Sequence, residues 1–186
     1  GAKVLFEVET PLIRLLLHLS RGVHLFEKGT ELPSFDYHSP LLSLPYAFKT
    51  TLQSIPSSIP YLEVEKRLLE QWGKKLSEKR TFRVGLVWSG AFRADQPEVW
   101  SLNTRRNISF EMISRLNRHD VDFYSLQKGE IAESELIEQK PKLWQGDNFF
   151  NYMDEVKDFA DTAALIMHLD LIICVDTSTA HLAGAL

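Results

Sequence analysis

A phosphate-binding turn is the chemistry that the residue types near the end of the chain fit best. Residues 171–175 are apolar without interruption, which predicts a buried strand that ends at Asp176. Thr177, Ser178 and Thr179 come next, and each of them can cap the helix predicted directly after them. A helix that begins immediately after a strand exposes unpaired N–H groups and its positive end at the carboxyl edge of the sheet. Open α/β sheets hold phosphate groups at that edge.

The second half of the chain predicts a doubly wound parallel sheet that places this turn beside another loop. The predicted strands cover 82–88, 122–126, 149–150 and 171–175, and the predicted helices run from Ser109 to about Arg118 and from near Asp158 to His168. In a sheet of strand order 3-2-1-4 the first and fourth strands are neighbours, and the loops at their carboxyl ends open a crevice. We therefore expect Ser89-Gly90 and the turn at 177–179 to line one crevice.

Several residues near the predicted crevice suit an anionic ligand. Gly90 allows a backbone to approach a ligand closely, and the polar loop after it contains Arg93, Arg105 and Arg106, which can pair with phosphate. His181 is expected to face back toward the first helical turn. A second interpretation stays open for each feature, because the arginines can be solvated surface, the turn can be a simple helix cap and the histidine can be a packing residue.

The first residues of the chain predict a β-α-β unit with parallel strands. The two strands are expected over 4–8 and 23–27, and a short apolar helix over 12–19 connects them. Pro11 suits the first position of that helix, and Thr10 is its expected N-cap.

A proline-rich segment and an amphipathic helix follow this unit. Five of the 8 prolines fall within 29–60, yet apolar residues are frequent there, so we expect an ordered, irregular segment that lies on a core. Residues 64–77 predict an amphipathic helix. Its apolar face contains Leu68, Leu69, Trp72 and Leu76. The basic, polar stretch 74–80 is the expected domain boundary.

Composition and charge restrict the class of protein. The 186 residues are 44% hydrophobic, which is enough for a sizeable core, and the net charge of −4 gives no electrostatic reason to expect nucleic acid or an anionic membrane as a partner. The apolar run at 12–19 is too short to span a bilayer. Cys174, the single cysteine, excludes an internal disulfide and fits a reducing compartment, so we expect a cytoplasmic protein.

The common motifs of cofactor and metal binding do not occur in the sequence. It has no Gly-x-Gly-x-x-Gly, no phosphate loop with Gly-Lys-Ser, no Gly-x-Ser-x-Gly, and no Cys or His spacing typical of zinc. Asp120-Val-Asp122 has the Asp-x-Asp form of a sugar-transferase metal motif, but it lies at the amino end of a predicted strand, opposite the ligand edge. We therefore expect neither a metal nor a cofactor.

Several stretches together resemble the heptosyltransferase-like glycosyltransferases. They are 84–90 (Val-Gly-Leu-Val-Trp-Ser-Gly), 105–108 (Arg-Arg-Asn-Ile), 124–127 (Tyr-Ser-Leu-Gln), 158–164 (Asp-Phe-Ala-Asp-Thr-Ala-Ala) and 175–184 (Val-Asp-Thr-Ser-Thr-Ala-His-Leu-Ala-Gly). The stretch 35–45, Phe-Asp-Tyr-His-Ser-Pro-Leu-Leu-Ser-Leu-Pro, is similar to the version of this family that is fused behind tetratricopeptide repeats in bacteria. The resemblance covers nearly the whole chain.

This resemblance implies the GT-B architecture, in which two facing Rossmann-like domains enclose the active cleft. It assigns 1–73 to the end of the acceptor-side domain with a linker helix, and 82–186 to the beginning of the nucleotide-sugar domain. Both domains are then incomplete. A chain that stops inside a predicted helix is likewise expected to be a fragment of a larger protein. The resemblance implies that the catalytic residue lies outside this fragment, which is then expected to have no activity on its own.

The resemblance also implies roles for individual residues. The donor diphosphate is expected at Gly90, Arg106, Thr177, Ser178, Thr179 and His181, and Gln127, Asp176 and His38 are candidates on the donor or acceptor side. Ser178 stands where the heptosyltransferases proper have glycine, a change that narrows backbone approach and that the repeat-fused relatives share. The loop 102–108 keeps an arginine at 106 but lacks the aspartate of its relatives.

The function that the resemblance implies is transfer of a sugar from a nucleoside-diphosphate donor to an unidentified acceptor, a protein or a saccharide. The reaction would be inverting and independent of metal. Two alternatives stay open. One is a non-catalytic scaffold or binding module derived from such an enzyme in a repeat protein, and the other is a different nucleotide-binding enzyme on the same fold.

Overall fold

Two parallel sheets with helices packed against them form the protein, so the expected α/β class is confirmed. The computed structural model describes residues 2–76, 81–90 and 105–186. The strands are β1 (Val4–Val8), β2 (Val23–Glu27), β3 (Phe82–Val87), β4 (Val121–Ser125), β5 (Phe149–Asn151) and β6 (Leu171–Cys174). The helices are α1 (Ile13–Leu16), α2 (Leu44–Ala47), α3 (Lys66–Lys75), α4 (Phe110–Ser114), α5 (Glu130–Leu143), α6 (Phe159–Ile166) and α7 (Ser178–Ala185).

The larger sheet has the order β5-β4-β3-β6, and all its pairs are parallel. Val84 of β3 pairs with Phe123 of β4 on one side and with Leu171 of β6 on the other. The expected order 3-2-1-4 and the adjacency of the first and fourth strands are therefore confirmed. This order is typical of Rossmann-like sheets, in which the crevice lies where the chain reverses its direction of winding.

Side chains of β3 alternate between two apolar layers, as a strand covered on both faces requires. Val84, Leu86 and Trp88 face a layer rich in aromatic rings. Val87 faces the other layer, in which α6 packs against α3. That second layer also contains Leu15 of α1, so the small sheet is attached to the large one through its helix.

The β-α-β unit at the start of the chain is confirmed, with β1 and β2 parallel and in the register Val4 to Val23. Its connection is less regular than the expected helix, because 3-10 turns at Thr10–Leu12 and Leu17–Arg21 flank the short α1. The expectation that Thr10 caps this helix is wrong. Its hydroxyl donates to the Glu27 carboxylate instead, which ties the connection to the end of β2.

The proline-rich segment does not lie on a core, and that expectation is wrong. Nearly all residues from 29 to 60 are exposed, and Tyr37 and Leu42 are each 94% accessible. Its regular structure is limited to the 3-10 turn Leu41–Ser43 and to α2. Proline removes backbone donors and fixes φ, so the segment forms no long element with an apolar face that could pack. None of its described side chains belongs to either apolar layer.

Helix α3 confirms the amphipathic pattern, since Leu68, Trp72 and Leu76 are buried and Leu69 is half-buried. Helix α4 starts after Ser109, whose hydroxyl accepts the Met112 N–H as expected, but it ends at Ser114 rather than near Arg118. The 14-residue helix α5 was not expected from the sequence. Most of the proposed boundary at 74–80 and the loop residue Arg93 lie outside the described residues.

Candidate functional site

A crevice with a cavity of about 320 Å³ lies at the carboxyl edge of the larger sheet. Its walls come from the loops after β3, β4 and β6 and from the start of α6. Five of the expected site residues line it: Gly90, Gln127, Thr177, Ser178 and Thr179. The topology predicted this meeting point correctly, although the loops after β3 and β6 are far apart in the chain.

Pairing of β3 with β6 holds the two loops in near contact. Val87 pairs with Cys174, and the Val175 N–H continues the ladder to the Val87 carbonyl at 3.0 Å. Gly90 donates its N–H to Asn107 Oδ1 at 2.9 Å, which links the residues directly after β3 to those that precede α4. A Cβ at Gly90 would lie 3.8 Å from the Thr177 methyl group, which is ordinary van der Waals contact, so the two loops lie close together at this point.

The beginning of α7 carries polar groups that have no partner within the described parts of the chain. Thr177 is the N-cap residue with extended dihedral angles, φ −140 and ψ 169, yet its side chain makes no capping hydrogen bond. Its Oγ1 is buried without a partner. The N–H groups of Ser178 and Thr179 belong to the first helical turn, which has no intrahelical acceptor for them. Buried polar atoms are nearly always bonded, so this arrangement fits a ligand with acceptor oxygens.

Three charged or ionisable side chains form a rim cluster beside this turn: Arg106, Asp176 and His181. Asp176 lies between the two others, with its carboxylate 3.7 Å from Arg106 Nη1 and 4.0 Å from His181 Nε2. All three are solvent-exposed, and ion pairs of this kind are weak. The side chain of His181 is 82% exposed, so it is not a packing residue.

Gln127 lines the crevice, but its side-chain amide is already fully hydrogen-bonded within the protein. It is 1% exposed, and its Oε1 accepts the N–H groups of Trp88 and Ser89 at 3.1 and 2.9 Å. Its Nε2 donates to the carbonyls of Ser89 and Lys128 at 2.9 and 2.7 Å. A glutamine amide offers two acceptor and two donor positions, and all four are used. Gln127 therefore holds the backbone of Trp88 and Ser89 in place and has no hydrogen-bonding position left for a ligand.

Sequence reasoning did not single out one part of the wall of the crevice. Lys128, Lys157, Asp158 and Pro11 line that wall. The Lys128 ammonium donates to the Met153 carbonyl at 2.6 Å. Lysines on polar loops carry no distinguishing signal in one sequence, and the position of Pro11 depends on how the small sheet docks.

The other candidates lie away from the crevice. His38 is exposed in the proline-rich segment, where its ring is near Phe35, and it does not line the crevice. Asp120 and Asp122 lie at the amino end of β4. Asp120 borders a larger, open polar cleft of about 540 Å³ at the opposite sheet edge, where it pairs with Arg118 at 3.0 Å.

Cys174 lies on β6 close to the crevice, but burial raises the pKa of its thiol. The thiolate is the nucleophilic form, so a raised pKa lowers the fraction of reactive thiolate at neutral pH. Within the described residues, no group of three or more His, Cys, Asp or Glu side chains could hold a metal ion. In the same part of the chain, no helix is long and apolar enough to cross a membrane.

Comparisons of this chain with protein-family models, with curated proteins and with solved structures return no match.

Proposed function

We propose that this chain binds the diphosphate of a nucleotide sugar in the crevice, as the donor side of a glycosyltransferase of GT-B architecture. The proposal joins the resemblance to the heptosyltransferase-like enzymes with the geometry of the crevice. The acceptor, a protein or a saccharide, would approach from the side of the β1–β2 unit.

The proposal rests on one observation: polar groups that have no partner in the described residues lie at the start of α7, whose first residues line the crevice together with Gly90. Two N–H groups and one buried hydroxyl lie where the helix dipole is positive. The rim cluster adds Arg106 and, when protonated, His181 on the same side. A diphosphate supplies the many acceptor oxygens and the negative charge that such a set of donors suits.

The chemistry that we propose is an inverting transfer. A base removes the proton of the acceptor hydroxyl, and its oxygen forms a bond to the anomeric carbon of the sugar. The bond from that carbon to the diphosphate oxygen breaks, and the leaving nucleoside diphosphate gains negative charge. The N–H groups of Ser178 and Thr179, together with Arg106, would stabilise that charge. Asp158 is not the base that we propose, because both its oxygens are bonded, to α6 N–H groups and to Arg14.

Replacement of Arg106 tests the proposal. We expect Arg106→Ala to weaken binding of UDP, GDP or ADP by about 1.5–3 kcal/mol, the range for hydrogen bonds to charged groups. Calorimetric titration measures this loss. Arg115→Ala is a matched control, since Arg115 is also exposed and lies 3.7 Å from the Glu111 carboxylate. Equal affinities of Arg106→Ala and the unchanged protein would contradict the proposal.

The alternative of a non-catalytic binding module is favoured by one observation. The proline-rich segment exposes large apolar side chains to an extent that is unusual for a monomeric protein. A scaffold would use this surface and would not need the crevice. Failure of all three nucleoside diphosphates to bind would favour this alternative.

A further inference from the structure

Arg14 of α1 connects the small sheet to the crevice wall through two carboxylates. Its Nη1 lies 3.0 Å from Asp158 Oδ2 and 3.3 Å from Asp161 Oδ2. The two carboxylate side chains are only 15% and 9% exposed, so this ion-pair cluster is partly removed from water. Such pairs are screened by salt less than pairs on an open surface.

Both carboxylates are also fixed from other directions. Asp158 Oδ1 accepts the N–H groups of Ala160 and Asp161 as the N-cap of α6. Asp161 Oδ1 accepts the indole N–H of Trp72 in α3 at 3.2 Å, and its Oδ2 accepts the Lys157 N–H at 3.2 Å. The carboxylates thus belong to the frame of the larger sheet, and Arg14 is the group that the small sheet contributes.

Asp158 lines the crevice directly. Pro11, in the 3-10 turn that precedes Arg14 and α1, lines it too. A carboxylate in that wall repels an anionic ligand unless a cation neutralises it. We infer that Arg14 is a positioning residue of the crevice, which neutralises Asp158 and holds Pro11 and the β1–β2 unit as a fixed wall. The electrostatic part of this inference rests on the proposed binding of a diphosphate.

Arg14→Ala tests the electrostatic part by its dependence on ligand charge. The Kd is measured for UDP, GDP and ADP, and then for the neutral nucleoside of whichever diphosphate binds best. We expect Arg14→Ala to weaken the diphosphate by about fivefold to tenfold at low salt and to leave the nucleoside nearly unchanged. Equal losses for both ligands, or no loss for the diphosphate, would overturn the electrostatic part of the inference.

Asp158→Asn provides the rescue, because asparagine caps a helix as well as aspartate but carries no charge. The double variant Arg14→Ala with Asp158→Asn should regain most of the lost diphosphate affinity, whereas a purely structural role of Arg14 predicts no recovery. Arg14→Lys keeps the charge and should bind nearly as tightly as the unchanged protein. If Arg14→Ala does not fold, Asp158→Asn alone tests the inference. This variant should bind the diphosphate at least as tightly as the unchanged protein does, and weaker binding would overturn the inference.

Hydrogen exchange separates this inference from the proposed function. If no diphosphate binds the unchanged protein, the proposed function fails, but the structural part of the inference can still be tested. Amide exchange of α1 should then be faster in Arg14→Ala than in the unchanged protein, while β3 and β4 keep their protection. Equal protection of α1 in the two proteins would overturn the inference.

Discussion

Ser178 and Thr179 would contribute to the crevice through the backbone, and Thr177 through a hydroxyl that the helix does not use for capping. Arg106 would contribute positive charge from the rim, as would His181 when it is protonated. If the donor at position 178 is the backbone N–H, serine can stand there without loss of that donor. A binding group that is an N–H remains available whichever side chain the residue carries, provided that the side chain points away.

Ser178→Pro separates the backbone donor from the side chain. Ser178 is the first residue of α7, a position at which proline is favoured, and the extended Thr177 before it suits a following proline. The fold should therefore survive, while one N–H donor is lost. We expect Ser178→Pro to weaken diphosphate binding by about 1.5–3 kcal/mol, as for a hydrogen bond to a charged group.

Ser178→Ala is the matched control, because it removes the hydroxyl and keeps the N–H. Calorimetry should give it an affinity close to that of the unchanged protein. The backbone interpretation would be refuted if alanine weakened binding as much as proline did.

His181→Ala tests the rim cluster. The side chain is 82% exposed, and surface substitutions change stability by only about 0.5 kcal/mol, so the melting temperature should hardly move. Diphosphate affinity should fall by about threefold to tenfold if the imidazole donates to a phosphate, an effect of about 1 kcal/mol. Thermal denaturation and calorimetry on the same preparation measure both quantities, and an unchanged affinity would exclude the ligand role.

At the scale of elements, the pairing of β3 with β6 creates the crevice. Gly85 of β3 pairs with Ile172 of β6, and side chains pack tightly against it. A Cβ there would lie 2.7 Å from Ile172 Cδ1 and 2.8 Å from Leu126 and Leu169 carbon atoms. Those atoms are ends of flexible side chains, so a methyl group would shift them rather than the backbone.

Gly85→Ala should therefore destabilise the fold by about 1–3 kcal/mol, the usual effect of overpacking a core. Gly184→Ala is the contrasting control, because nothing lies within 4 Å of a Cβ at that helical position. Alanine there should stabilise the protein by up to about 1 kcal/mol through helix propensity. Urea denaturation of the two variants measures the difference, and similar stabilities would contradict this account of the β3–β6 contact.

Periodicity predicted the positions of the strands well because most of them are short runs rich in apolar residues. The expectation that 171–175 is a buried strand is wrong, since Leu171 and Ile173 are 45% and 37% exposed where β6 forms the edge of the described sheet. Helix α5 escaped prediction because only Ala132 and Leu136 are buried among its described residues, while Ile131 and Ile137 face solvent. Pro141 near its end is a further signal against a helix. The exposure of 29–60 could not be read from composition either, since apolar residues do not show which surface covers them.

For the whole molecule, the sequence predicted which strand edge forms the crevice but not which parts close it. The order of strands follows from connection rules, and it placed Gly90 opposite Thr177. The docking of the β1–β2 unit depends instead on long-range contacts such as Arg14 with Asp158, which leave no local pattern. The same holds for the Ala185 carbonyl at the end of α7, which accepts the N–H groups of both Tyr61 and Leu62.

Amide chemical shifts test most directly whether a nucleoside diphosphate binds at the carboxyl edge of the larger sheet, as we claim. The ¹⁵N-labelled protein is titrated with UDP, GDP and ADP, and shifts are followed residue by residue. We predict saturable shifts that are largest at Gly90, Ser178 and Thr179. Absence of shifts with all three ligands, or shifts confined to the polar cleft at 117–120 and 145–148, would contradict the claim.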